Sequence, residues 1–191
     1  RSKWGGRGGY EHFPEEDNNI YTIAQFYPRM AAYMDYSGWM HKQFLGSGEF
    51  TLDFGDYTLS ITVPADHIVG ATGEWQNAST VLTGEQQKRL AQARTSDKPV
   101  MMVTPQEALD NEKEKTTAKK TWVYKSTNVR DVAFATSRKF IWDAMNQPVK
   151  NHNVLCMSYY PKEGNPLWEQ YSTKVVAHTI KTYSKFTCDY I

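Results

Sequence analysis

The residues best suited to chemistry are the five histidines, the two cysteines and a few charged pairs, and their spacing decides what they can do. A hydrolytic metal centre needs two or three imidazole or carboxylate ligands converging on one ion, commonly two of them a helical turn apart. His12, His41, His67, His152 and His178 are scattered, and none has a His or carboxylate partner four residues on along an expected helix. The sequence therefore predicts no metal site of its own, and His178 reads as a packing or hydrogen-bonding residue. Cys156 lies in an apolar strand-like run, where a buried thiol is inert, and no serine stands in a G-x-S-x-G elbow, so covalent catalysis lacks a nucleophile. Cys156 and Cys188 are too few for a disulfide framework and sit in no C-x-x-C spacing. Arg130 and Asp131 read as neighbours in a strand; their side chains then point to opposite faces and cannot form one clamp. Asn77-Ala78-Ser79 matches the glycosylation pattern, a short match that arises often by chance. The glycines at 5, 6, 8 and 9 around Arg7 lack the strand-before, helix-after context of a phosphate cradle.

The elements that must position these residues follow from periodicity. The first nineteen residues show no sustained apolar period and read as irregular lead-in. Strands are expected over 20–25, 49–54 and 57–63, the last alternating Tyr57, Leu59, Ile61 and Val63 with polar neighbours. Gly55-Asp56 between two of these runs suggests a two-residue hairpin turn. A further strand starts at 68–74. Thr83 with Gln86, and Thr104 with Glu107 and Pro105 between, are capping boxes that open two short helices, with a strand at 100–103 between them. Strands are expected again at 121–126, 129–135 and 154–158. The cluster Glu112, Lys113, Glu114, Lys115, Lys119 and Lys120 is mixed in sign and reads as a solvated loop. From Leu167 onward Trp168, Tyr171, Val175, Val176, Thr179, Ile180 and Tyr183 recur at three- and four-residue intervals, one face of a long amphipathic helix.

Length and composition bound the function. The 191 residues suffice for one sizeable domain, or one with the start of another, and 40 % hydrophobic content excludes a disordered class. With 22 basic and 21 acidic residues, the net charge of +1 supplies no field for nucleic acid or anionic membrane. No apolar run approaches the ~18 residues of a membrane span. The start at Arg1, without initiator Met or signal h-region, and the helix running to the last residues lead us to expect a piece of a longer polypeptide.

Five segments carry a resemblance: residues 23–39 (IAQFYPRMAAYMDYSGW), 48–57 (GEFTLDFGDY), 63–69 (VPADHIV), 128–137 (NVRDVAFATS) and 157–168 (MSYYPKEGNPLW). In this order and spacing they resemble M1 zinc metallopeptidases, in the aminopeptidase N-like form typical of the Bacteroidetes. The resemblance implies a mainly β, α+β architecture. Residues 1–160 would be part of an N-terminal, non-catalytic antiparallel β-saddle or sandwich. Residues 161–191 would be the linker and first helix of a thermolysin-like catalytic domain. The family's H-E-x-x-H motif, later glutamate ligand, amine-binding segment and catalytic tyrosine lie further on and are not in this chain. Zinc is thus expected in the full-length parent and no cofactor in this chain, which by itself should be inactive. The expected partners are the downstream catalytic domain and, in the parent, peptide substrate, with self-association of the isolated chain; the implied location is bacterial periplasm or cell envelope. Gln25 matches the family's pocket-shaping glutamine, and Tyr27 falls where the family binds the substrate's free amine with an acidic or amide residue. A neutral phenol cannot supply a carboxylate's charge pairing. A different reading, an independent β-rich module binding peptide or glycan through Trp39, Tyr33 and Tyr36, competes with this one, although aromatics at this density more often belong to a core.

Overall fold

The computed structural model describes residues 7–13, 18–42 and 51–190, with backbone alone at 7–13. Among these residues the fold is mainly β, built from antiparallel sheets with four helices. The N-terminal run 1–19, expected to be irregular, instead contributes a strand: β1 (Arg7–Phe13) pairs along its whole length with β2 (Asn18–Ala24), Gly9 opposite Thr22. Edge pairing is a main-chain property, so the two glycines enter it without the side-chain alternation a sequence reading looks for.

After the two-strand hairpin β3 (Tyr33–Met34) and β4 (Gly38–Trp39), β5 (Gly55–Pro64) takes the alternating pattern read at 57–63 and buries Ile61 and Val63. The hairpin turn expected at Gly55-Asp56 is not formed, and the strand expected at 49–54 is absent over its described part. Residues 49 and 50 lie outside the described residues, 51–54 are irregular, and Gly55 enters the ladder opposite Val129 across a bulge. The Asp56 carboxylate is used there, accepting from the Asn128 amide at 2.9 Å. The run at 68–74 divides into β6 (Ile68–Ala71) and β7 (Glu74–Trp75). The break falls at Gly73, whose φ of 104° and whose approach to the Lys125 carbonyl, 2.5 Å from where a Cβ would stand, admit no side chain.

A short α1 (Ala78–Val81) precedes α2 (Gly84–Ala93); β8 (Val100–Val103) and α3 (Pro105–Glu114) follow. Both capping boxes form as the sequence predicts, Thr83 with Gln86 and Thr104 with Glu107. Then come β9 (Lys119–Val129), β10 (Ala133–Ser137), β11 (Ile141–Val149), β12 (His152–Tyr160), a 3-10 turn (Lys162–Gly164) and α4 (Leu167–Phe186). The sheets run β1-β2-β10-β6, β12-β11-β8 and β5-β9-β7. Their facing sides close on an aromatic layer in which Trp75 stacks on Trp122 at 5.3 Å and meets Trp142 edge-on at 5.4 Å.

The turn between β10 and β11 carries two inward cations. Arg138 reaches both Asp66 oxygens at 3.2 Å, and the fully buried Lys139 bonds Glu163 at 2.8 Å and lies 3.9 Å from Glu112. Glu112 is itself buried and also meets Lys162, at 3.3 Å. The charged cluster at 112–120 is therefore not wholly a solvated loop: Glu112 faces inward, and Lys120 packs its ammonium over the Trp122 ring.

His67 is buried beside this turn, its Nδ1 3.1 Å from the Thr136 hydroxyl. Burial first, and the Arg138 charge second, lower its pKa from 6.5 to about 4. The unfolded chain takes up the proton near 6.5 and the folded one only near 4, so the unfolded state binds more protons between these values. Stability should fall as pH drops through that window, by roughly 3 kcal/mol in all. Urea unfolding from pH 7 to pH 4 should show a steeper loss in the parent protein than in His67→Gln; parallel curves would show that the imidazole does not titrate in this way.

Candidate functional site

Gln25 ends β2 in a left-handed conformation, φ 52°, which turns the chain out of the sheet. The turn sends Phe26 edge-on against Phe134 at 5.4 Å and brings Tyr27 edge-on against Tyr57 at 5.6 Å. Gln25 and Tyr27 are both half-buried. The Tyr27 hydroxyl donates to Asp131 Oδ1 at 2.8 Å, and Arg29 grips the same carboxylate through Oδ2 at 3.0 Å while its guanidinium lies 5.5 Å from the centre of the Tyr27 ring. Burial first, then hydrogen bonding with Tyr57 and with Asp131, pushes the Tyr27 phenol well above the usual tyrosine range. It is a neutral donor at physiological pH. Tyr27 is thus engaged with a carboxylate of its own chain, and that carboxylate is neutralised by Arg29.

Arg130 and Asp131 are not strand neighbours. The run read as 129–135 breaks between β9 and β10, where Asp131 also caps the Val132 amide at 2.8 Å. Arg130 lines a cleft of about 340 Å³ together with Tyr27, Arg29, Asp53, Asp56 and Tyr57. The cleft sets two guanidinium groups, two carboxylates and two phenols beside the apolar side chains of Pro28, Met30, Leu52 and Phe54, a mixed polar and apolar lining. Nothing in the local sequence marks Arg29, Tyr57 and Asp131 as partners of Tyr27. The Tyr27–Asp131 contact spans 104 positions and leaves no local pattern.

The other candidates separate. Among the described residues no group of three or more His, Cys, Asp or Glu side chains could hold a metal ion. Cys156 is buried on β12, its thiol pushed up by burial, and Cys188 is exposed. His178, read as a packing or hydrogen-bonding residue, is exposed on α4 and so not packed. Asn77 is fully used as a clamp on β9: its amide donates to the Thr121 carbonyl at 2.8 Å and accepts from the Val123 amide at 3.0 Å. Tyr33, Tyr36 and Trp39, expected to belong to a core, are exposed by 64, 79 and 57 %, Tyr33 meeting Trp39 edge-on. The β3–β4 hairpin is too short to fold these rings under another layer.

Helix α4 is held by its small residues. Thr173 donates to the buried Asp143, which also accepts from Tyr160 at 2.6 Å, and Ala177 packs on Met145 and Cys156. Of the apolar row read as one face of this helix, Ile180 packs beside Ala177, while Leu167, Tyr171, Val175 and Tyr183 stand outward, each more than half exposed. Set beside models of protein families, curated proteins and solved structures, the chain matches none of them.

The geometry at Tyr27 predicts a measurable coupling. Tyr27→Phe and Asp131→Ala should each destabilise the fold, and a double-mutant cycle by chemical denaturation should return about 1 kcal/mol between them. Additive effects would show that the phenol does not depend on the carboxylate.

Proposed function

We propose that this chain is the non-catalytic β-rich region of an M1-type zinc metallopeptidase, with the segment Gln25–Tyr27 bordering the peptide cleft of the whole enzyme. The observation that carries the reading is the outward apolar row of α4. A 20-residue helix fixed through Thr173 and Ala177 while Leu167, Tyr171, Val175 and Tyr183 face out is suited to lie between two bodies, this β-rich one and another. In the proposed parent that second body is the zinc-bearing catalytic domain, of which α4 is the first helix. The resemblance carried by the five sequence segments is what suggests the family. The zinc would be held and its water activated by residues downstream of Ile191; this chain would contribute the cleft wall.

In the proposed parent Gln25, which is not among the residues lining the Arg130 cleft, would set a neutral amide beside the substrate's first side chain, as the resemblance implies. Tyr27 does not substitute for an amine-binding carboxylate, and Asp131 behind it is already paired with Arg29. Recognition of the free α-amine would therefore fall to the catalytic domain.

The test is to express the polypeptide encoded through and beyond Ile191. It should hold one zinc per chain and hydrolyse aminoacyl anilides in a chelator-sensitive way, while residues 1–191 alone do neither. Gln25→Ala in the longer protein should change KM among substrates with different first side chains more than kcat, because a pocket wall holds substrate and transition state alike. Absence of an H-E-x-x-H motif within about a hundred residues of Ile191, or of any zinc-dependent hydrolysis, would overturn the proposal.

One observation favours the reading as a free-standing binding module, namely the exposure of Tyr33, Tyr36 and Trp39 on one hairpin. In that case oligosaccharides or peptides should shift tryptophan emission in the isolated chain, and Trp39→Ala should abolish the shift. An unchanged spectrum leaves the hairpin without a ligand.

A further inference from the structure

The sheets β12-β11-β8 and β1-β2-β10-β6 enclose part of the core between them, and among the described residues one flank of that layer is open. It forms a slot of about 920 Å³ bounded by β6 and β12, which are the end strands of their sheets. Half-buried Leu155, Met157 and Tyr159 form one wall, Ala71 and Phe134 the other, and Trp75 also lines the slot. Where Gly70 meets Tyr159 the two walls touch; a Cβ at Gly70 would stand 2.9 Å from the ring.

The border of the slot is a strand edge as well as a strand face. His152, Asn153, Val154 and Leu155 are consecutive, so their side chains alternate in direction, yet all four line it. Among the described residues β12 pairs with β11 alone, which leaves along its other side the row of donors and acceptors typical of an end strand. A pure hydrocarbon would fill the apolar walls and leave that row unused. A strand with apolar side chains at every second position would satisfy both.

The rim adds charge. Arg94 and His152 are exposed there, and Glu74, also on the rim, stands opposite Lys125 in the β7–β9 register. A carboxylate at one end of the ligand would meet Arg94.

We infer that the edge of β12 is a docking site for a separate extended peptide, apolar at alternate positions and ending in a free carboxylate, which adds to the sheet as a further strand. The slot shares Phe134 with the packing of the Gln25–Tyr27 segment, but the inference does not rest on the peptidase reading.

The test uses the whole chain and a fluorescent heptapeptide alternating Thr with Val and Leu, followed by anisotropy. Two analogues carry N-methyl groups on alternate amides, one on each edge of the peptide. Strand addition uses one edge only, so one analogue should bind as the parent does and the other at least about ten-fold more weakly. Amidating the C-terminus should weaken binding several-fold in the unaltered protein and have no further effect in Arg94→Gln, a surface change whose fold is checked by circular dichroism. Equal affinity of the two analogues would overturn the proposal by showing a merely apolar slot. So would dodecanoate binding where the peptide does not, association of two copies through β12 that excludes the peptide, or no saturable binding at all. Because the decisive comparison alters the peptide, a failure of any variant to fold leaves it intact.

Discussion

The arrangement of this chain depends on a lysine with no access to water. Lys139 lies in the β10–β11 turn with its ammonium held by Glu163 and near Glu112. A buried cation is tolerable only where carboxylates come to it, and stripping one such partner costs several kcal/mol because the remaining charge is stranded. The requirement is positional: α3, which carries Glu112, and the 3-10 turn, which carries Glu163, must both converge on this turn. The adjacent Arg138 does the same for the β5–β6 connection through Asp66, and reaches Asn18 at the start of β2. Two consecutive side chains thus fix elements drawn from most of the sequence.

A second inward charge sets the C-terminal helix. Asp143 is nearly inaccessible on β11; burial raises its pKa, while the hydrogen bonds from Thr173 and Tyr160 act in the opposite direction by favouring the carboxylate. Those bonds set the rotation of α4 about its own axis. Once Thr173 faces Asp143 and Ala177 faces Cys156, the bulky residues spaced between them have to point outward. The hydrophobic periodicity of the helix is real, but a polar anchor decides which side meets the sheet.

What the sequence made legible was what local physics decides. Capping boxes at Thr83 and Thr104 need only a few adjacent residues, and both formed; the alternation at Tyr57–Val63 is a face pattern, and it buried as read. β11 was missed because a strand paired on both sides and covered on both faces shows no alternation, and IWDAMNQPV also contains Asp143, Asn146 and Pro148. β1 was missed because its pairing is made by main chain through two glycines. At the Gln25–Tyr27 segment the candidate residues could be named, but not that the Tyr27 phenol is committed to Asp131, since that contact joins remote parts of the chain. The inward turn of Glu112 is of the same kind: a glutamate among lysines has the composition of a solvated surface until a distant lysine comes to meet it.

The clamp at Asn77 has a consequence for any preparation of the chain made through a eukaryotic secretory pathway. Its side-chain amide ties Thr121 and Val123 of β9 to the start of α1, and the same nitrogen is the acceptor atom of the Asn-Ala-Ser tripeptide. Oligosaccharide transfer and folding therefore compete for one atom. A nascent chain modified before β9 is synthesised would be left with a bulky sugar where β9 must be tied, whereas in one that folds first the nitrogen is already engaged by the Thr121 carbonyl. The glycan content of material made in a eukaryotic host would accordingly record which of the two processes came first.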